Sequence, residues 1–383
     1  MRRIVNLGLF ALLAVIVVGG LLWLFRGQVL RLAGANFDTG TSRVGGLSVP
    51  DGYEVTAFAS GLAGPRFMAV GPDGTLFVAT RAADNVMALP DRDRDGRSDG
   101  AFEVGRGYDG AHSLAFTPDG TLLVAGNSTL FAVELGPDLV ERGRRTILDL
   151  PPDGGHDTRT VAVLPDGRLL VSVGSTCNVC LEDDPRRAAI LLTDADGAND
   201  RVLMRGLRNA VGVAVDPATG IAWATNNGRD LMGDDVPPET LYRVEDGADA
   251  GWPRCHAGTI VDPEFGTSPD PATGAVGCDD VVEPAATFQA HMAPLGLAFW
   301  DGHVYVAFHG SWNRSTKVGY AVGRLPWSAD GPVGDLEPFL TGFLDETSGD
   351  SSGRPAGVIV GSDGALYVSD DKAGAIYRVA RTP

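Results

Sequence analysis

The sequence has no excess of positive charge and little cysteine. Its 31 lysines and arginines stand against 49 aspartates and glutamates, so the formal net charge is −18, and no basic stripe is present. Nucleic-acid-binding proteins normally concentrate positive charge on one face, so we expect no nucleic-acid partner. Glycine and proline are abundant instead, at 52 and 24 residues, with short Val/Leu/Phe runs between them. This composition favours strands and tight turns over helices.

Only one long hydrophobic run is present, at the N-terminus. Residues 4–25 contain a single polar side chain, Asn6, and follow Arg2 and Arg3. At about 1.5 Å per residue this run is long enough for a hydrocarbon core of roughly 30 Å. A cleaved signal peptide is the alternative, but its apolar region is usually shorter and ends in small residues. We therefore predict a membrane anchor or uncleaved signal at 1–25, a linker at 26–45 and an extracytoplasmic (periplasmic or extracellular) body.

The four cysteines form a C-x-x-C pair, Cys177 and Cys180, and a wider pair, Cys255 and Cys278. Four cysteines allow three pairings. In an exported chain we predict the disulfides Cys177–Cys180 and Cys255–Cys278. A zinc site or a redox C-x-x-C is the alternative, although zinc usually takes a second close-spaced pair and a redox motif usually stands beside a strand–helix unit.

A turn followed by an alternating strand recurs six times. The first copy is Gly-Pro-Asp-Gly-Thr-Leu-Phe-Val-Ala, and the copies begin at Gly71, Thr117, Leu164, Asp216, Trp300 and Ser362. Each Asp-Gly predicts a hairpin turn, and a period of about 45 residues with about four strands is typical of a propeller blade. The sequence therefore predicts an all-β six-bladed β-propeller over 46–383, preceded by one transmembrane helix. Residues 246–283 are predicted to be an insertion, and residues near 45–60 to complete the last blade.

One histidine in the loops between the repeats is a candidate general base. His156 stands in Gly-Gly-His-Asp-Thr-Arg, just before the third repeat. Its ordinary pKa lies near neutrality, as a general base requires. A loop histidine that only hydrogen-bonds to backbone is the alternative.

Arginines occupy loop positions around several repeats. Singly, each would form a surface ion pair. Together they could bind one polyanionic ligand, because the guanidinium fork pairs with carboxylates. Trp312 offers an aromatic wall for a planar ring. The arginines are Arg159, Arg208, Arg314 and Arg354.

Two stretches contain the oxygen ligands that calcium prefers. In the first, backbone carbonyls beside glycine are followed by carboxylates, and an ordinary polar turn is the alternative; the residues are Gly228, Arg229, Asp234 and Asp235. The second has the D-x-D-x-D-G-x-x-D spacing of a calcium loop but lacks its closing glutamate. It predicts a structural calcium remote from catalysis, or else a solvated acidic turn, at Asp91, Asp93, Asp95 and Asp99.

Read together, these motifs resemble those of the pyrroloquinoline quinone (PQQ)-dependent soluble aldose/glucose dehydrogenases, in their sorbosone dehydrogenase-like branch. Each motif is short, but their number and order make the resemblance specific. The resembling segments are Gly-Gly-His-x-Thr-Arg at 154–159, Gly-Ser-x-Cys-Asn-x-Cys at 174–180, Gly-Leu-Arg-Asn at 206–209, Gly-Trp-Pro-x-Cys at 251–255, Phe-His-Gly-Ser-Trp-Asn-Arg at 308–314, and Gly-Arg-Pro at 353–355 with Tyr-Val-Ser-Asp-Asp at 367–371.

The resemblance implies an oxidoreductase that oxidises the C1 hydroxyl of a sugar, or a hydrated aldehyde, with PQQ and Ca²⁺ as cofactors. His156 would take the hydroxyl proton, and Arg208 would orient substrate and quinone. Calcium held by carbonyls near Gly228 would polarise the quinone. An electron acceptor in the membrane or periplasm would complete the cycle. The resemblance assigns quinone contacts to Arg159, Asn209, Trp312, Arg314 and Arg354.

Two other functions remain open from the sequence. One is a calcium-dependent propeller hydrolase of the lactonase kind, which would surround a channel calcium with acidic and amide side chains. The other is a non-catalytic propeller that binds a carbohydrate or a protein. The binding hypothesis predicts that His156 and the arginines do not share a pocket.

Overall fold

The computed structural model of the protein describes residues 45–152, 154–271 and 273–382. This part of the chain is all-β, with strands β1 to β27 and one short 3-10 helix, Arg81–Ala83. Six antiparallel sheets form the blades of a propeller. The predicted all-β six-bladed propeller is therefore confirmed.

Three blades come from the first half of the described chain, after β1 (Tyr53–Ala59). Blade 1 contains β2 (Pro65–Val70), β3 (Leu76–Thr80), β4 (Asn85–Leu89) and β5 (Phe102–Arg106). Blade 2 contains β6 (Ser113–Phe116), β7 (Leu122–Ala125), β8 (Thr129–Leu135) and β9 (Glu141–Asp149). Blade 3 contains β10 (Arg159–Val163), β11 (Leu169–Val173), β12 (Ala189–Thr193) and β13 (Arg201–Arg205).

The other three blades contain the irregular features. Blade 4 contains β14 (Val213–Val215), β15 (Ala222–Asn226), β16 (Glu239–Arg243) and, after the hairpin β17 (Cys255–His256) and β18 (Ile260–Val261), β19 (Ala286–Phe288). Blade 5 contains β20 (Pro294–Trp300), β21 (His303–Phe308), β22 (Ala321–Ser328), the short β23 (Gly331–Pro332) and β24 (Glu337–Leu340). Blade 6 contains β25 (Pro355–Val360), β26 (Leu366–Asp370), β27 (Ala375–Arg381) and β1.

The repeated Asp-Gly turns join the innermost strand of a blade to the second strand. In the first turn the Asp73 carboxylate accepts hydrogen bonds from the Thr75 N–H at 3.0 Å and the Thr75 hydroxyl at 2.9 Å. Gly74 has a φ of +87°, in the left-handed region that glycine adopts without steric cost. These local interactions explain why the turns were visible in the sequence.

The blades close into a ring in two ways. The innermost strands β2, β6, β10, β14, β20 and β25 each contact the next, and β25 contacts β2. The N-terminal strand β1 pairs with β27 in an antiparallel register, with Tyr53 opposite Arg381. Blade 6 is thus built from both ends of the described chain, as the sequence predicted for residues near 45–60.

Side chains buried between blades supply the core. Between blades 4 and 5, for example, Trp223 is 1% exposed and packs with Leu241, Val304 and Phe308. Fully burying a large apolar side chain contributes about 1.5–3 kcal/mol. Each blade buries both faces in this way, so the ring forms one body that can hold loops from several blades close together.

The insertion and the cysteines follow the sequence predictions. Between β16 and β19 the chain forms the β17–β18 hairpin, which the Cys255–Cys278 disulfide ties to residues further along. The second predicted disulfide, Cys177–Cys180, is also formed, and no free cysteine remains in the described chain. The zinc alternative is therefore wrong, because all four sulfurs are bonded in pairs.

The predicted membrane anchor at 1–25 and all but the last residue of the predicted linker at 26–45 lie outside the described residues. Among the residues from 45 onward that the structure describes, no helix is both long and apolar enough to cross a lipid bilayer. The anchor therefore stays a prediction.

Candidate functional site

Polar side chains gather on the face of the ring opposite the Asp-Gly turns. On this face the innermost strands begin and the second strands end, as the pairing of Arg159 with Val173 illustrates. His156 precedes β10, Arg208 precedes β14, and Arg354 precedes β25. Ring closure therefore brings together loops that are far apart in the sequence.

The loop after β11 fixes the imidazole of His156. Nδ1 lies 2.8 Å from the Ser175 hydroxyl and 3.1 Å from the Ser175 carbonyl oxygen. The Ser175 hydroxyl donates its one hydrogen to the Cys177 carbonyl at 2.7 Å, so it can only accept from His156. Nδ1 must therefore carry the proton, and the lone pair of the neutral ring lies on Nε2.

The surroundings of His156 keep its ring neutral. Burial, followed by the positive charge of Arg208, lowers the pKa of His156 to about 4. No group in the described chain hydrogen-bonds to Nε2, and this nitrogen keeps some surface exposed to solvent. His156 thus presents a solvent-accessible, unprotonated nitrogen at neutral pH.

Arg208 is almost fully buried, with 3% of its surface exposed, and its guanidinium is held on several sides. Nε donates to the Asn178 carbonyl at 2.9 Å, and one Nη donates to Asn178 Oδ1 at 2.9 Å and to Asp230 Oδ2 at 2.8 Å. Burial lowers the pKa of Arg208, and the charge of Asp230 opposes that shift. Arg208 is therefore a fixed cation that acts on His156.

Asp230 links three blades at the site and was missed in the sequence. Besides Arg208 of blade 4, its carboxylate accepts Asn313 Nδ2 of blade 5 at 2.8 Å. Its backbone N–H donates to Asn178 Oδ1 of blade 3 at 2.8 Å. The adjacent calcium-type motif drew attention to Asp234 instead, and only the ring geometry selects Asp230.

A glycine, Gly174, makes room for the side chain of His156. A Cβ at Gly174 would lie 2.6 Å from His156 Cβ and 2.9 Å from Asn209 Oδ1. Asn209 therefore lies beside His156, and its contact with a cofactor stays a prediction. Its backbone N–H donates to Asn226 Oδ1 at 3.0 Å, which ties the segment to the end of β15.

The carbonyls of Gly228 and Arg229 are available as cation ligands. No donor in the described chain bonds to either carbonyl oxygen. The Gly228 N–H donates to Glu239 Oε2 at 2.6 Å, and burial raises the pKa of Glu239 to about 7. The Arg229 side chain turns away and pairs with Asp262 and Glu264 of the insertion. Only backbone oxygens of these residues could therefore hold calcium.

The expectation that Asp234 and Asp235 join this calcium site is not supported by the geometry. The Asp235 carboxylate pairs with an Arg314 Nη at 2.8 Å. The Asp234 carbonyl accepts from Arg314, and its carboxylate accepts the Ser315 N–H at 3.0 Å. These contacts join the loops of blades 4 and 5, and they also occupy the arginine that was expected to bind the quinone.

Arg159 does not reach the site either. Its side chain has no exposed surface, and it donates to the His156 carbonyl at 2.8 Å, to the Thr158 carbonyl at 3.0 Å and to the Pro151 carbonyl at 3.0 Å. Burial lowers its pKa to about 10. Arg159 supports the loop that carries His156. Because its side chain is fully buried, the geometry does not support the expected contact with a cofactor.

Arg354 and Trp312 lie on the same face of the ring as His156, opposite the Asp-Gly turns. Arg354 donates to the His309 carbonyl at 2.9 Å and to the Gly310 carbonyl at 3.0 Å, so it holds the blade 5 loop while remaining partly exposed. Trp312, in the same loop, is 70% exposed. Its ring is available at the rim.

A second charged cluster lies at the same mouth, and the sequence assigned no role to its members. Arg66 donates to Asp371 Oδ2 at 2.5 Å, and His309 Nε2 lies 2.9 Å from the same oxygen. Burial works against ionisation of Asp371, but the His309 hydrogen bond and the Arg66 charge outweigh it and lower its pKa to about 2. Burial lowers the pKa of His309 to about 4. Arg66 is the second residue of β2, in Gly-Pro-Arg before the first repeat, and no motif in the sequence included it.

The cluster borders an open cavity of about 530 Å³. Arg66, Arg81 and Asp371 line one side, and Thr158, two residues after His156, lines the other. Arg81 also pairs with Asp157 at 2.9 Å. Cavities of roughly 300–1,000 Å³ are typical of small-molecule sites.

The acidic turn at the edge of blade 1 forms in part as predicted. The carboxylates of Asp91, Asp93 and Asp95 lie within 4.8 Å of one another. Asp99 is not part of this group, and its carboxylate accepts the Arg92 N–H at 2.9 Å. Three of the four predicted carboxylates thus cluster, on the face opposite His156, and the structural calcium stays a prediction.

Comparison with known proteins identifies the family. The TrAA12-like family profile matches residues 47–382. The chain is 27% identical to a PQQ-dependent pyranose dehydrogenase of Coprinopsis cinerea over 88% of this chain and 54% of that protein, so it spans about half the length of that relative. It is also 27% identical to a PQQ-dependent sugar dehydrogenase of Hypocrea jecorina, over 85% of this chain and 87% of that protein.

A solved structure gives the same result. The holo form of the PQQ domain of the Coprinopsis cinerea pyranose dehydrogenase is 26% identical and superimposes with a TM-score of 0.76, covering 88% of this chain and 97% of that one. The resemblance to PQQ-dependent sugar dehydrogenases that the motifs predicted is therefore confirmed at the level of the family. The chain belongs to the TrAA12-like family.

Proposed function

We propose that the protein is a PQQ-dependent dehydrogenase that oxidises the C1 hydroxyl of a sugar, or a hydrated aldehyde. The observation that carries the proposal is His156, whose neutral Nε2 is open to solvent beside the buried cation Arg208. A general base must be unprotonated at the working pH and able to reach the proton it takes. The dehydrogenase relatives make a sugar the natural substrate class.

The chain's own residues would act by positioning and by electrostatics. His156 Nε2 accepts the hydroxyl proton, while the Nδ1 bond to Ser175 keeps the ring in the required tautomer. Arg208 stabilises negative charge that develops on the substrate oxygen, because it is a buried cation whose guanidinium is held in place. Asp230 and Asn178 keep its guanidinium in place.

The residues at the mouth fit a planar quinone that carries carboxylates. The cavity of about 530 Å³ has two arginines in its wall, Arg66 and Arg81. They pair with Asp371 and Asp157, so a quinone carboxylate would have to share or replace these partners. Arg354 and the exposed ring of Trp312 lie on the same face. Arginine pairs with carboxylates through two hydrogen bonds, and an aromatic ring can pack against a planar one. When bound, the quinone would supply the hydride-accepting carbonyl.

The carbonyls of Gly228 and Arg229 fit a calcium ion. Both oxygens lack a hydrogen-bond donor in the described chain, and calcium prefers such hard oxygen ligands. The Glu239 bond to the Gly228 N–H would fix the orientation of this turn. Bound there, calcium would act as a Lewis acid on the quinone.

Two further parts of the proposal concern the setting of the enzyme. The disulfides support an extracytoplasmic location, where such bonds persist. The apolar run at residues 4–25 supports an anchor in the membrane. An acceptor in the membrane or periplasm would then remove the electrons from the reduced cofactor.

The alternative functions have weaker support. A hydrolase with a channel calcium needs free carboxylates around the metal, whereas Asp230 and Asp371 pair with Arg208 and Arg66. A binding module would leave His156 apart from the arginines, but the charge of Arg208 acts on His156 directly.

The test is a dye-reduction assay on the purified full-length chain with PQQ, Ca²⁺ and a panel of aldoses and sorbosone. We expect reduction that needs both cofactors and falls by at least about 100-fold in His156→Ala, because general-base catalysis typically contributes 10²–10⁴-fold. The matched control is His303→Ala, which changes a histidine at the turn face, beside Asp301.

Quinone binding is measured in parallel by thermal shift, since a ligand that binds the native state stabilises it. If PQQ with Ca²⁺ neither raises the melting temperature nor supports activity, the proposed function is wrong. Equal activity in His156→Ala and the wild type would remove His156 from the mechanism.

A further inference from the structure

One asparagine in the C-x-x-C loop contacts Arg208 twice. The Asn178 carbonyl accepts Nε and its Oδ1 accepts an Nη, each at 2.9 Å. The same side chain also binds Asp230 twice: Oδ1 accepts the Asp230 N–H at 2.8 Å, and Nδ2 donates to the Asp230 carbonyl at 3.0 Å. Trp252 Nε1 adds a hydrogen bond to the Asn178 carbonyl at 3.3 Å. Asn178 therefore touches both members of the Arg208–Asp230 ion pair.

The same loop holds the base. The Cys177 carbonyl, one residue before Asn178, accepts the Ser175 hydroxyl hydrogen and so forces His156 Nδ1 to be the donor. The Gly155 and His156 N–H groups donate to the Thr176 and Ser175 carbonyls at 2.7 and 3.1 Å. The tautomer of His156 and the orientation of Arg208 thus depend on one stretch of backbone, residues 175–178.

This stretch has no strand or helix of its own. It lies between β11 and β12, and the Cys177–Cys180 disulfide closes it around Asn178. Without the disulfide, the loop from 174 to 188 would keep mainly side-chain and turn hydrogen bonds. Closing a loop reduces the number of conformations that it can adopt, so the crosslink favours the one that faces Arg208 and His156.

We propose that Asn178, clamped by the Cys177–Cys180 disulfide, is a positioning residue that fixes the Arg208 guanidinium, and that the same loop fixes the Nδ1-protonated tautomer of His156. The proposal rests on the proposed function for its catalytic consequence. Its structural part does not depend on that function. The C-x-x-C pair serves as a clamp for the site rather than as a metal site.

Loss of the clamp should act on the rate more than on substrate binding. Asn178→Ala removes one acceptor of Arg208 and both side-chain contacts to Asp230. We expect kcat to fall about ten-fold or more, because hydrogen bonds to a charged group are stronger than neutral ones, with less than a three-fold change in the sugar KM. If Asn178 had a merely structural role, the variant would have a lower melting temperature but would not show a fall in kcat at a nearly unchanged KM.

The second readout needs no activity. It is the rate of amide hydrogen exchange, measured on the full-length apo protein at three amides. The Asp230 N–H donates to Asn178 Oδ1, and the Gly155 and His156 N–H groups donate to carbonyls of the loop. Asn178→Ala should speed exchange at Asp230. Cys177→Ser/Cys180→Ser should speed it at all three amides, by about ten-fold or more, because opening the loop frees their acceptors.

Two matched variants serve as controls. Asn199→Ala changes an asparagine on the turn face whose side chain donates to Asp194 Oδ2 at 2.7 Å. Cys255→Ser/Cys278→Ser removes the other disulfide, in the insertion. The His309 and Gly310 amides, which bond to Ala293 and Met292 on the same face, should not change in Asn178→Ala or in the Cys177 and Cys180 variant.

Unchanged exchange at Asp230 in a folded Asn178→Ala protein would overturn the proposal, whatever the activity. Faster exchange in a protein whose wild type neither binds PQQ nor reduces dye would support the clamp and reject the dehydrogenase. If the cysteine variant does not fold, Asn178→Ala, which keeps the disulfide, decides alone. A wild-type kcat in Asn178→Ala, with normal dehydrogenase activity, would refute the catalytic consequence.

Discussion

The pKa of His156 gives the sharpest test of the site. Burial and the charge of Arg208 lower it to about 4 from an ordinary value of 6.5. The unfolded chain therefore binds this proton more tightly than the folded chain. The stabilising contribution of a neutral His156 is complete above about pH 6.5 and is lost progressively as the pH falls toward 4.

The size of this effect follows from the two pKa values. At pH 4.5 protonation of the unfolded chain should cost the native state about 2.5 kcal/mol relative to pH 7.5, with one tenfold step worth about 1.4 kcal/mol. Replacing His156 by glutamine removes the titrating group, so the variant should lose less stability between these pH values. Burial also lowers the pKa of His309 to about 4, and its contribution is common to both proteins.

The assay has two parts. Imidazole proton resonances, assigned to His156 by their loss in His156→Gln, should stay flat down to about pH 5 in an NMR titration. Urea unfolding at pH 7.5 and 4.5 should then give a wild-type loss that exceeds the variant's by about 2.5 kcal/mol. A midpoint near 6.5 in the titration would refute the argument, since a base that is half protonated near neutrality is not the one described above.

Three further substitutions test other parts of the structure. Asp230→Ala leaves Arg208 buried without its carboxylate and should lower the free energy of unfolding by about 2–3 kcal/mol, measured in urea; an effect under 0.5 kcal/mol would contradict the role of the pair. Gly174→Ala places a methyl group against the base and should lower kcat at least about ten-fold, whereas Gly143→Ala, with nothing within 4 Å, should not. Trp223→Ala should cost about 3–5 kcal/mol in the same unfolding assay, and a smaller loss would mean that blades 4 and 5 repack.

The fold could be predicted because its signals are local. An Asp-Gly turn is specified by a few adjacent residues: Asp73 bonds to Thr75, and Gly74 supplies a positive φ. The spacing of these turns gave the blade count. The four sulfurs likewise paired as their spacing predicted.

The site could be predicted only in part. The motifs identified His156 and Arg208, and both lie at the mouth. They included Asp371 in a resembling segment but gave no sign of its partner Arg66, which lies 305 residues away in the chain. They also gave no sign of Asp230 as the carboxylate that joins three blades.

By itself the sequence determined the turns, the alternating strands that follow them and the blade number, because each depends on neighbouring residues, and it supplied His156 as the candidate for a general base. The tertiary structure alone decided which charged side chains are held by acceptors elsewhere in the fold. Arg159 donates its hydrogen bonds to carbonyls of its own loop, and Arg314 pairs with Asp235 in the loop of the preceding blade. The reason is physical: a guanidinium binds the acceptors that surround it, and those acceptors come together only when the ring closes.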